Sequence, residues 1–144
     1  MAKNCFVGTW RLVKSEFQRK DGATIYPFGK DAEGLLIYDE QNHMSVQIMQ
    51  VGRSLFASGD RLIGSLEEIK AAFDGYLAYF GEYKVNTENH TINHQIKASL
   101  FPNWVGREQI RLFEFSGDCL TLKTLLTPTA GPTTTGILIW ERVA

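Results

Sequence analysis

Along most of the chain, polar and apolar positions alternate in short runs rich in Val, Ile, Leu, Thr, Tyr and Phe. The runs are cut at short intervals by Asp21-Gly22, Asn42-His43, Asn86-Thr87-Glu88-Asn89, Gly117-Asp118 and Gly131-Pro132. Evenly spaced short strands with turn signals between them predict a sandwich or a barrel. Strands are expected over residues 8–18, 23–27, 33–38, 44–51, 76–86, 90–99, 107–116, 119–126 and 135–143. One segment departs from the two-residue period. Ser65-Leu66-Glu67-Glu68 has the form of a capping box, in which the Ser65 hydroxyl accepts from a backbone N–H and Glu68 reaches back. Leu66, Ile69 and Phe73 follow at helical spacing and Gly75 supplies a stop, so residues 65–74 predict one short helix lying across an end or a side of the sheet.

Two hairpins can be registered. The turn Asn86-Thr87-Glu88-Asn89 pairs Val85 with His90, Tyr83 with Ile92, Gly81 with His94 and Tyr79 with Ile96. Glu82 and Lys84 then share the opposite, water-facing side with Thr91 and Asn93. The two-residue turn Gly117-Asp118 pairs Phe115 with Leu120, Phe113 with Leu122 and Arg111 with Thr124. A one-residue slip would turn either apolar set outward, so each face is well specified. The inward set also contains Tyr79, Tyr83, His94, Gln109 and Arg111. A purely structural core does not need them, because buried polar groups cost free energy unless they are hydrogen-bonded.

Composition narrows the class. The 144 residues fit one domain, residues 1–144, with no linker, repeat or low-complexity stretch. Hydrophobic residues are 44% and charged residues 22%, and the net charge is −1 without a run of one sign. This argues against a nucleic-acid footprint and against an electrostatic membrane anchor. No stretch approaches the roughly 20 apolar residues of a spanning helix, and no signal peptide is visible. The expectation is a cytoplasmic protein with Cys5 and Cys119 reduced. Neither cysteine has a CxxC partner. His90 and His94 are four apart, which on a strand is roughly 13 Å, too far to share a metal. No metal and no cofactor is expected. The oligomeric state is open, and a dimer is compatible with the sequence.

Trp10 lies on the first strand, and Leu138, Trp140 and Arg142 share a face of the last. An arginine over a tryptophan face gains a cation–π contact of about 0.5–2 kcal/mol. Together the two strands would seal one end of a closed sheet. Gly8-Thr9-Trp10 near the start and an arginine on the final strand resemble the closure signature of lipocalins and other calycins. More of the chain resembles the lipocalin-like domain family. The resembling pieces are Gly8-Thr9-Trp10-Arg11-Leu12-Val13, Gly34-Leu35-Leu36-Ile37-Tyr38, Tyr79-Phe80-Gly81-Glu82-Tyr83, His94, Pro102-Asn103-Trp104-Val105-Gly106, Leu120-Thr121-Leu122 and Leu138-Ile139-Trp140-Glu141-Arg142. The resemblance implies a mainly β fold, a single antiparallel lipocalin-like β-barrel of about eight to nine strands, with a central cavity. It does not imply one activity. The chain departs from secreted lipocalins in lacking their signal peptide and disulfide.

His94 is the sharpest candidate, as a general acid–base, as a donor to a ligand, or as a histidine satisfied by a neighbouring tyrosine. Arg111 fits a clamp for a carboxylate or a stabiliser of an enolate; it also fits an ion pair with an interior acid such as Glu16. Tyr38, Tyr79 and Tyr83 either hydrogen-bond a ligand or fill the barrel. Gln109 and Phe113 share the inward face with Arg111. Trp104, in Phe101-Pro102-Asn103-Trp104, forms a lid at the mouth or caps the core there.

Two functions follow. The first is binding of a small apolar or aromatic molecule in the interior by Tyr38, Tyr79, Tyr83, Trp104 and the His94–Gln109–Arg111–Phe113 group. The second is a cofactor-independent isomerase, cyclase or dehydratase acting on a polyketide- or terpenoid-like molecule in the same space. In it His94 or Tyr83 moves the proton and Arg111 stabilises negative charge.

Overall fold

The computed structural model describes residues 5–124, 127–128 and 133–144. The ordered strands are β1 (Gly8–Arg19), β2 (Thr24–Ile25), β3 (Glu33–Tyr38), β4 (His43–Met49), β5 (Tyr76–Asn86), β6 (Thr91–Ser99), β7 (Glu108–Ser116), β8 (Cys119–Thr124), β9 (Thr127–Pro128) and β10 (Thr133–Arg142). Helix α1 (Leu66–Asp74) separates β4 from β5, and a 3-10 turn (Pro102–Trp104) precedes β7. All pairings are antiparallel, in the order β2-β1-β3-β4-β5-β6-β7-β8-β10-β9, and β1 also pairs with β10. That last pairing closes eight long strands into a barrel with no free edge, while β2 and β9 extend two of them. The strand expected at 23–27 shrinks to two residues. Of the strand expected at 119–126, the last two residues lie outside the described part, as does the Gly131-Pro132 turn.

The β7–β8 hairpin has the register expected from its turn: Arg111 opposite Thr124, Phe113 opposite Leu122, Phe115 opposite Leu120. The β5–β6 hairpin is shifted by two. Tyr83 faces His94, Val85 faces Ile92, and Gly81 faces Ile96. The reason is local. His90 adopts a positive φ of 53° and stays in the loop, so pairing starts only at Asn86 opposite Thr91. A shift of two preserves which face each residue occupies. A bulge at Phe80/Gly81 then places Tyr79 opposite Ser99 rather than Ile96.

A second bulge, between Leu12 and Lys14, shapes β1. Leu12 points inward, Val13 and Lys14 both point out, and Ser15 points in again. Simple alternation from Trp10 would have put Lys14 and Glu16 inside. Instead Glu16 pairs with Lys14 at 3.4 Å on the outer face, so it is no partner for Arg111.

One end is sealed as the closing strands imply. The Arg142 guanidinium sits 4.3 Å from the Trp10 ring and donates to the carbonyls of Val7 and Cys5 at 2.8 and 2.5 Å. The Trp10 indole donates to the Phe6 carbonyl at 2.9 Å. Phe6 itself is fully buried and meets Tyr38, Phe113 and Phe115 edge-on.

Helix α1 has both halves of its capping box, Ser65 accepting from the Glu68 N–H and Glu68 accepting from the Ser65 N–H. Glu68 also accepts from Ala57 N, tying the preceding loop to the helix. None of its residues is fully buried, and Arg53 donates to the Ala72 carbonyl near its far end. No helix among the described residues is long and apolar enough to cross a membrane.

Candidate functional site

The polar centre of the barrel is His94, in the middle of β6. Its alternation with Ile92 and Ile96 aims it inward, and it is 2% exposed. Tyr38, the last residue of β3, brings its hydroxyl to 2.6 Å from Nε2. Tyr79, on β5, brings its hydroxyl to 2.7 Å from Nδ1. Both tyrosines are buried. Burial, and after it the Arg111 charge, hold His94 well below the usual imidazole range, so the ring is neutral at pH 7. Burial likewise pushes both phenols upward, strongly at Tyr38; at Tyr79 the nearby Arg111 pulls the other way.

Counting hydrogens constrains this cluster. A neutral imidazole carries one N–H, and each phenol carries one O–H. Three donor hydrogens thus serve two hydrogen bonds. Either tautomer of His94 leaves one phenol proton over. If Tyr38 donates to Nε2, then Nδ1–H donates to Tyr79 and the Tyr79 proton is left. If Tyr79 donates to Nδ1, the Tyr38 proton is left. No described protein group accepts from either hydroxyl other than His94.

Arg111 and Gln109 lie beside this cluster on β7, Arg111 donating to the Gln109 side-chain oxygen at 3.0 Å. Among the described residues no carboxylate lies within ion-pair distance of Arg111. The inward side chains of β7, Gln109, Arg111, Phe113 and Phe115, are all only part-buried. Their inward neighbours on β6 and β8, such as His94 and Leu122, are buried. Solvent therefore reaches the inward face of β7, and Arg111 stands there with no carboxylate partner among the described residues.

The remaining candidates divide. Trp104 in the 3-10 turn packs edge-on against Tyr79, with ring centroids 5.9 Å apart, and against Phe101 at 5.4 Å, so it lies at the rim of the cluster. Phe113 packs edge-on against Phe6 at 5.0 Å and lies 5.4 Å from the His90 ring. Tyr83 is turned away from His94. Its hydroxyl donates to the Asp39 carbonyl at 2.7 Å while its ring meets Tyr38 edge-on at 4.7 Å. The structure thus gathers Tyr38, Tyr79, His94, Gln109, Arg111 and Trp104, and engages Tyr83 at the sealed end. No group of three or more His, Cys, Asp or Glu among the described residues could hold a metal ion. Sequence reasoning did not single out Phe6 or Ser15. The only signal for Ser15 would have been the double outward step at Val13 and Lys14.

A family model described as a lipocalin-like domain matches residues 7–143. A 4'-hydroxy-3'-methoxypropiophenone carrier protein of Aspergillus oryzae is 38% identical over 88 residues, covering 57% of this chain and 79% of that protein. Among solved structures, a Schistosoma mansoni fatty acid binding protein in complex with arachidonic acid aligns over 100% of both chains, with a TM-score of 0.44 and 12% identity. The REP1-NXSQ fatty acid transporter aligns over 96% of both chains, with a TM-score of 0.40 and 13% identity.

Proposed function

The chain belongs to the lipocalin-like domain family, and from that premise we propose that it binds a small aromatic molecule inside the barrel and carries it unaltered. The observation that carries this reading is the unspent phenol proton at Tyr38 or Tyr79 beside an Arg111 that has no counter-ion among the described residues. A buried donor with no acceptor is costly, on the order of 1–3 kcal/mol, and a ligand oxygen removes that cost. Arg111 adds a charge-assisted donor for the same oxygen. Aromatic and aliphatic walls with a few convergent polar groups are what small-molecule sites are made of. The ligand class is therefore a compact aromatic compound bearing a phenol, enol or ketone oxygen. A relative named as the carrier of an aryl ketone supports the same class.

The test is titration of the purified chain with 4'-hydroxy-3'-methoxypropiophenone by calorimetry, with native mass spectrometry of the complex. One equivalent is expected to bind and to be recovered unchanged. Arg111→Ala should weaken binding by about tenfold or more, the loss of one charge-assisted hydrogen bond. Absence of binding, or binding indifferent to Arg111, overturns the reading. Conversion of the compound, lost in His94→Ala, would replace carriage by proton-transfer catalysis.

A further inference from the structure

On the wall away from His94 the interior holds two more buried polar atoms. Ser15 is 5% exposed and Trp140 is 1% exposed. Among the described residues neither the Ser15 hydroxyl nor the Trp140 indole N–H has a hydrogen-bond partner. Their placement is connected. Trp140 is opposite Leu12, Ser15 is opposite Leu138, and the β1 bulge falls between them. Leu138 and Trp140 are two apart on β10, so Ser15 and Trp140 are diagonal neighbours, about 7–8 Å between backbones. The bulge is what gives this arrangement, because it turns Ser15 inward where regular pairing would have turned it out. Bulges of this kind recur where a strand must re-aim a side chain.

The two orphans also share cross-strand rows with the part-exposed inward face of β7. Trp140 is opposite Leu120, which is opposite Phe115; Leu138 beside Ser15 is opposite Leu122, which is opposite Phe113. The part-exposed inward face of β7 therefore shares its cross-strand layers with the two unpaired groups. An indole N–H only donates, and a hydroxyl can donate beside it. Both ask for an acceptor.

We propose that Ser15 and Trp140 form a second polar subsite that takes a neutral carbonyl oxygen of the bound molecule, at the end opposite the oxygen held by Arg111 and the His94 cluster. This rests on the interior-binding reading and deepens it: the ligand has acceptors at both ends of an aromatic skeleton. The His94 side, with its cation, takes the more acidic oxygen. The Ser15–Trp140 side, with no charge, takes the ketone.

The test compares 4'-hydroxypropiophenone with 4-propylphenol, which keeps the skeleton and phenol but lacks the carbonyl oxygen. The native chain, Ser15→Ala and Trp140→Phe are titrated with both. Each substitution should weaken the ketone by about five- to tenfold, the worth of one neutral hydrogen bond, and leave 4-propylphenol within about twofold. In the native chain, the Trp140 indole N–H resonance, assigned by its loss in Trp140→Phe, should shift with the ketone and not with 4-propylphenol. Equal losses for both compounds, or a Trp140 resonance that the bound ketone leaves in place, overturn the second subsite while interior binding stands. Binding of neither compound by the native chain overturns both. Ser15→Ala, which deletes one oxygen, keeps the comparison available if Trp140→Phe fails to fold.

Discussion

The Tyr38 hydroxyl lies 2.6 Å from Nε2 of His94, although 56 positions and two intervening strands separate the residues. Tyr38→Phe therefore strands a buried ring nitrogen, and the expected loss of stability is about 1–3 kcal/mol. Tyr79→Phe strands the other nitrogen and should cost a similar amount. Adding His94→Leu to both should recover part of the loss, because removing every polar partner leaves nothing unsatisfied. Urea denaturation of the single, double and triple variants measures this. Simple addition of the single losses would show that the three groups do not act as one network.

The depressed His94 gives an acid limb to stability. The unfolded chain takes up a proton near the ordinary imidazole value of 6.5, while the folded chain resists it. Protons are then bound more by the unfolded state, so stability is full above that value and falls as pH drops below it. The slope approaches about 1.4 kcal/mol per pH unit for one proton. Asp39 and Glu68, lowered from 3.8 and 4.5 by backbone hydrogen bonds, add their losses only at lower pH. Denaturation at pH 7, 6 and 5 should show the decline in the native chain and a flatter profile in His94→Phe.

How far these features were legible follows from the turns. Gly117-Asp118 leaves one register open to β7–β8, and that register is found, with Arg111 beside Thr124. The Asn86–His90 stretch allows more than one loop length, so the β5–β6 register found lies two residues from the one its turn suggests, with faces intact because the offset is even. The β1 bulge left no such mark. Whether Glu16 or Ser15 lies inside depends on one inserted residue, and alternation cannot count it. The same limit applies to the site. Tyr79 and His94 belong to one hairpin and could be brought together by pattern. Tyr38 reaches His94 only across the closed barrel, a contact that strand pairing alone does not encode.

The Phe80/Gly81 bulge makes a separate prediction. At Gly81 a Cβ would fall 1.9 Å from the Gln95 carbonyl oxygen, a backbone atom that cannot swing aside. Gly81→Ala must therefore open the β5–β6 ladder, and an expected cost of at least about 1–3 kcal/mol follows from overpacking alone. The same ladder sets Tyr83 opposite His94, two residues from the substitution. Amide exchange should accelerate across Tyr79–Tyr83 and His94–Ile96 first. Unchanged exchange there would mean that the bulge absorbs the methyl group.

The sealed end can be separated from the binding chemistry. Arg142 combines three contacts, the Trp10 face and the carbonyls of Val7 and Cys5. A lysine can keep the charge over Trp10, but its single ammonium cannot reproduce the planar fork that meets two carbonyls. Arg142→Lys should therefore cost about 1–3 kcal/mol, and Arg142→Ala more, since it also removes the cation–π contact and leaves both carbonyls unanswered. Phe6 and Trp10 are the first residues to feel this, through the Trp10 indole and the Phe6 carbonyl. Arg111 and His94 do not touch Arg142, so affinity for 4'-hydroxy-3'-methoxypropiophenone should stay within about twofold for variants that remain folded at the assay temperature. Thermal melting and calorimetry on the same samples separate the two quantities. A variant that keeps its melting temperature but loses the ligand would show that Arg142 itself takes part in binding.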